Sequence, residues 1–317
     1  MEKIPQNFKT FPKNVWEPRQ VQTSEGNYTL FGFHFKGIQD FYDFLKKEPR
    51  INKEVWGGGL ESINNDADFA GEPYESAVEK LVREMDPGYQ EYLQIQKNIH
   101  AKAAKVHEYQ PIKSVAGGMV NPVDYTTGSP TIYRSSRLIT KPKFLTIDTQ
   151  VAYLSHTSKS QVFNRAIIIT NLIRALERKG YNVDVNSFML AYKDDELIQA
   201  IFQIKQHGER TNYQSLYKSL VDVEFFRRLC FRLMEVSDVE NDWSWGYGRT
   251  AEESLAREVL KLKKDDIYFD QPSEMGIHGH DIGDDFENAI EHLGLEKIID
   301  VPREKEILEE CVKVLRK

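Results

Sequence analysis

Four groups of residues in this chain have types and spacings that could do chemistry. The first is the run Ser155–His156–Thr157–Ser158–Lys159, which sits between a strand-like segment (VAYLS) and a long amphipathic segment. Ser155, Thr157, Ser158 and Lys159 offer three hydroxyls and an ammonium at the start of a helix, where free backbone N–H groups favour an anion. Their structural alternative is plain helix capping. The second group is IYFDQPSEMGIHGHDIGDD, in which Asp270, His278, His280 and Asp281 fall within one short loop. Histidine with aspartate suits a divalent metal, which could activate water for hydrolysis. The spacing matches no zincin motif, and an aspartate in such a loop is also a natural N-cap.

The third group is FFRRLCFRLM, where Arg228 and Arg232 lie one helical turn apart and could grip phosphate or an acidic partner. The fourth is NDWSWGYGRT, where Trp243, Trp245 and Tyr247 alternate in a glycine loop. Such aromatics can stack on bases, form a protein interface, or tuck into a core. The triple glycine after Trp56 could form a nest of amides, but it lacks the Lys–Ser/Thr ending of a phosphate-binding loop.

The elements that must position these residues follow from periodicity. Val162, Phe163, Ala166, Ile169, Ile173 and Leu176 recur at three- and four-residue steps, predicting one long helix between a serine cap and Gly180. The strands FLTIDTQVAYLS, VDVNSFMLAY and LIQAIFQIK flank it, the last two joined by a polar turn at Lys193, Asp194 and Asp195. Alternation of strands and helices predicts an α/β fold with a three-layer, mostly parallel sheet. Residues 1–110 are expected to form an N-terminal arm and helical region. Residues 111–317 are expected to form the α/β domain, with the Gly/Pro-rich stretch 111–143 lying over it.

The order of VAGGMVNPVDYTTGSP, AYLSHTSKSQVFNRAIIITNLIRALERKGYNVDV, FFRRLCFRLMEV, WGYG and IYFD resembles an uncharacterised family of bacteriophage-encoded proteins. The likeness covers roughly residues 110–300 and the WGGG near Trp56. Its core is similar to a von Willebrand factor A-type domain, which implies a Rossmann-like sheet. Domains of that type hold a divalent cation through Asp-x-Ser-x-Ser. Here the matching run begins with Ser155 and ends with Lys159, so the resemblance implies a degenerate site without a cofactor. Loss of the carboxylate and gain of an ammonium both disfavour a cation.

The bulk numbers set outer limits. A net charge of −7 argues against a general nucleic-acid coat, although a local basic patch remains compatible with it. Two distant cysteines, Cys230 and Cys311, read as buried free thiols. With no apolar leader and no membrane-length apolar run, a cytoplasmic protein is expected. The leading expectation is a non-catalytic binding protein that engages a host or phage protein. A metal-dependent hydrolase or nuclease using the Asp270–Asp285 loop is one rival. A nucleotide or nucleic-acid binder using Ser155–Lys159 and the aromatic loop with Trp243 and Trp245 is the other.

Overall fold

The computed structural model describes residues 14–15, 18–47, 71–82, 87–104, 112–114, 119–120, 125–128, 133–135, 143–236 and 249–313. The strands are β1 (Arg19–Gln22), β2 (Asn27–Phe35), β3 (Ile112–Ser114), β4 (Met119–Val120), β5 (Tyr133–Ser135), β6 (Lys143–Gln150), β7 (Tyr181–Lys193), β8 (Glu196–Lys205), β9 (Arg249–Thr250) and β10 (Ile267–Phe269). The α-helices are α1 (Ile38–Lys47), α2 (Tyr74–Val82), α3 (Pro87–Ala104), α4 (Lys159–Arg178), α5 (Tyr213–Leu220), α6 (Phe231–Val236), α7 (Glu253–Leu260), α8 (Ile282–His292) and α9 (Val301–Lys313). A π-helical turn, Phe225–Cys230, runs directly into α6.

The main sheet has the order β1-β2-β8-β7-β6-β10, with β9 pairing on β7. The expected mostly parallel three-layer sheet is incorrect. Of the eight strand pairings among the described residues only β2–β8, β6–β7 and β6–β10 are parallel. The cause is local. Asp194 and Asp195 form a two-residue turn, with Asp194 in the left-handed region at φ 52°. So short a connection can only fold β7 back on β8 as an antiparallel hairpin, because a parallel pair needs a long crossover. The β6–α4–β7 unit is such a crossover, and there the parallel expectation holds. The sheet is therefore mixed, and it does not have the architecture that the von Willebrand A resemblance implied.

β2 enters the interior of this sheet and pairs with β8 from Thr29↔Glu196 to Phe35↔Phe202. Its alternation divides the aromatics between faces: Phe31, Phe33 and Phe35 join the large core, while Tyr28 and Leu30 join a smaller one. Helices α1 to α3 bury residues in the same large core as α4, so the boundary expected near residue 110 does not separate two cores. The faces are unequal. Among the described residues, eight α-helices contribute to the large core and only α7, through Leu255, Ala256 and Val259, to the smaller. Phe225 of the π-helical turn packs 5.0 Å from Phe202 and 5.7 Å from Phe41, which anchors that turn to the sheet. Cys230 and Cys311 are both free and buried. No helix among the described residues is long and apolar enough to cross a membrane.

Candidate functional site

The chain leaves β6 through buried Val151, Ala152 and Tyr153, turns at Ser155–His156 and enters α4. Ser158 is the N-cap. Its hydroxyl accepts from the Gln161 N–H at 3.3 Å, and its own N–H donates to Gln161 Oε1 at 2.9 Å, a complete capping box. Thr157 is buried, and its N–H donates to the Leu154 carbonyl. The Ser155 carbonyl accepts from Arg227 Nη2 at 2.9 Å, beside a second Arg227 bond to the Leu154 carbonyl. That guanidinium also lies 4.8 Å from the Tyr153 ring centre. Three of the four predicted ligand residues here thus shape the turn, and the fourth, Lys159, opens outward.

Lys159 and Ser160 line a cleft of about 440 Å³. Its other described walls come from α2 (Lys80), α3 (Gly88, Glu91), α4 (Phe163), α5 (Tyr217) and the link Val221–Glu224, with Gly71 at one side. Gly71 has φ +80°, and a Cβ there would lie 2.6 Å from Glu224 Oε1, so only glycine lets this wall close on Glu224. Two ion pairs are built into the walls. Lys80 meets Glu224 at 3.2 Å, and Lys218, nearly fully buried behind the cleft, meets Asp222 Oδ2 at 3.1 Å. The Asp222 side chain is only 9 % exposed. Burial pushes its carboxyl up to about 6, against the lowering effect of Lys218 and Lys80 and with a smaller push from Glu224. The link carrying Asp222 leads straight into the π-helical turn, a rare element found often at functional sites.

The other predicted residues lie elsewhere. Arg228 and Arg232 do not form an exposed phosphate-gripping face. They are 0 % and 3 % exposed, and each guanidinium carbon sits 4.9 Å from the Tyr74 ring centre. Apolar surroundings on both sides of a π-helical turn draw in arginine stems whose heads then stack on an aromatic ring. Trp243, Trp245 and Tyr247 lie outside the described residues, as do Trp56 and its glycines.

The candidate metal residues Asp270, His278, His280 and Asp281 are not drawn into one ligand set. Among the described residues no group of three or more His, Cys, Asp or Glu side chains could hold a metal ion. Asp281 caps α8, accepting from the N–H groups of Gly283 at 2.7 Å and Asp284 at 3.3 Å. His278 and His280 are exposed. Asp270 Oδ1 accepts from the Gln271 N–H at 2.7 Å, and burial raises its carboxyl to about 6. The Asp270 carbonyl and the Gln150 carbonyl both accept from Arg165 Nη1, at 3.3 and 2.8 Å. Arg165 is wholly buried and ties together the carboxyl ends of β6 and β10.

Asp222, Lys218, Lys80, Glu224 and Glu91 escaped the sequence reading. A break near Val221–Asp222 is visible in the sequence, and Lys218–Asp222 has the four-residue spacing of a helical ion pair. Neither signal says that α2, α3 and α4 converge there.

Residues 19–297 match a family model described as a domain of unknown function, DUF7192. No curated protein and no solved structure matches the chain.

Proposed function

The chain belongs to the DUF7192 family, and for this member we propose a recognition function, with binding and not turnover as its role and the cleft at the start of α4 as its binding surface. The observation that carries this reading is the convergence of Lys159, Ser160, Glu91 and Asp222 on one cavity of about 440 Å³, a volume typical of small-ligand sites. The walls are preorganised by the Lys80–Glu224 and Lys218–Asp222 pairs, so little ordering cost attends binding. The charges of both signs favour a compact, mixed-charge occupant over a nucleic-acid strand, which wants a run of cations.

A ligand that binds only the folded state raises the melting temperature, by an amount equivalent to roughly 2.7 kcal/mol at a hundredfold excess over Kd. Thermal-shift screening of small charged compounds should therefore yield stabilisers of the wild type. Val221→Trp fills the cleft from its wall and should abolish their effect. Stabilisers that act equally on both proteins, or a stabiliser consumed on incubation, would refute the proposal.

A further inference from the structure

We infer that the occupant of this cleft is a zwitterion of amino-acid type with an apolar side chain, its ammonium on Asp222 and Glu91 and its carboxylate beside Lys159. The inference rests on the recognition reading above and assigns the chemistry of that site. Part of the charge in the walls is already spent internally. Glu224 is held by Lys80, and one oxygen of Asp222 by Lys218. The unspent groups are of both signs. Lys159 and Glu91 line the cleft, and neither has an ion-pair partner among the described residues. The second oxygen of Asp222, Oδ1, accepts from no described donor. A buried carboxylate with a vacant acceptor site is stabilised by an added ammonium.

Lys159 and Ser160 occupy the first turn of α4, a 20-residue helix whose N-terminal N–H groups favour negative charge. The capping box uses the Gln161 N–H, but it leaves the Lys159 ammonium unengaged. Phe163, Val221 and the ring of Tyr217 add apolar surface to the same walls. A bare anion would face the carboxylates of Glu91, Asp222 and Glu224. A bare cation would face Lys80 and Lys159. Only a ligand carrying both charges finds a complement for each sign in the lining.

Calorimetric titration at pH 7.5 tests this with L-leucine, L-phenylalanine and L-tyrosine, and with two analogues of phenylalanine. Phenethylamine lacks the carboxylate, and 3-phenylpropionate lacks the amine. At least one amino acid should bind, and each matching single-charge analogue should bind at least tenfold more weakly. Asp222→Asn should weaken the amino acid at least tenfold without changing the residual affinity of 3-phenylpropionate. Lys159→Gln, at an exposed position that leaves folding intact, should do the same while sparing phenethylamine. An analogue that binds as tightly as its parent amino acid would overturn the inference, as would insensitivity to both variants. If no amino acid binds but other compounds give stabilisation that Val221→Trp removes, the zwitterion falls and the recognition reading stands. If nothing binds the cleft, both fall.

Discussion

The loop Asp270–Asp285 and the link Tyr217–Glu224 make an instructive pair. Both are rich in charge and lie beside the start of α4. In the loop each aspartate is engaged in structure: Asp270 and Asp281 accept from backbone N–H groups, and Asp284 meets Lys305 at 2.8 Å. Asp285 is 1 % exposed and accepts from the N–H groups of His278 at 2.7 Å and Gly279 at 2.9 Å, and from Asn164 Nδ2 at 2.7 Å. In the link, one oxygen of Asp222 has no donor among the described residues, and the residue lines a cavity. The first region carries the conspicuous residue types, and the second carries the unspent chemistry. Residue type is therefore a poorer guide to a site than the balance of donors and acceptors around each buried group.

The sharpest way to test the contrast is to delete the centre of the loop. Asp285→Ala leaves two buried donors and one part-buried donor unsatisfied and should destabilise the fold by roughly 3 kcal/mol. The damage should spread to α4. Gly279 packs so closely on that helix that a Cβ would lie 2.7 Å from Ser160 Oγ, and Gln161 Nε2 donates to the Ile277 carbonyl. Urea denaturation measures the loss. A change under 1 kcal/mol would mean that the loop is not the structural region described.

Next in size is the pH response of Asp222. Its folded carboxyl titrates near 6, above its ordinary 3.8, so between those values the native state holds more protons than the unfolded chain. Stability from this group is therefore greatest below pH 4 and declines as pH rises towards 6. Burial, supported by Glu224, outweighs the opposing effect of Lys218 and Lys80. Asp148 and Asp270, also raised to about 6, act with the same sign and persist in the variant. The stability of Asp222→Asn relative to wild type should thus increase between pH 4 and pH 7, by on the order of 2 kcal/mol. A decrease would show that the Lys218 pair outweighs burial, and Asp222 would then resemble the spent carboxylates of the loop.

The sequence carried α4 almost to the residue, because Ser158 caps it and Gly180, at φ 83°, ends it. It also carried β7 and β8 as strands. The antiparallel sense of that pair was legible as well, since two residues cannot make a crossover, but the alternation of strands and helices elsewhere favoured the wrong pattern. The place of β2 was not legible. Its partner β8 lies some 170 residues away, and nothing local in NYTLFGFHF names it. Asp222 was hidden for the same reason. Its burial comes from Tyr217 and Lys218 on its own segment together with α2, α3 and α4, elements remote in sequence. His278, His280 and Asp281 stood out because histidine and aspartate stand out, yet Asp281 is an N-cap of ordinary geometry.

The smallest expected effect belongs to those histidines. Of the two histidines, His278 makes a structural bond through its backbone N–H, and both imidazoles are exposed. His278→Ala with His280→Ala removes side chains without touching that bond. The double variant should lie within about 0.5 kcal/mol of wild type, the usual range for surface changes. It should also leave cleft affinity unchanged. The same protein probes the metal alternative, because a resident divalent ion would stabilise the folded state by mass action. Melting is therefore measured with and without added zinc or manganese. Equal curves for wild type and variant keep the loop on the structural side of the comparison. Stabilisation of the wild type alone would move it to the other side, and the exposed histidines would then be ligands brought together only when the ion binds.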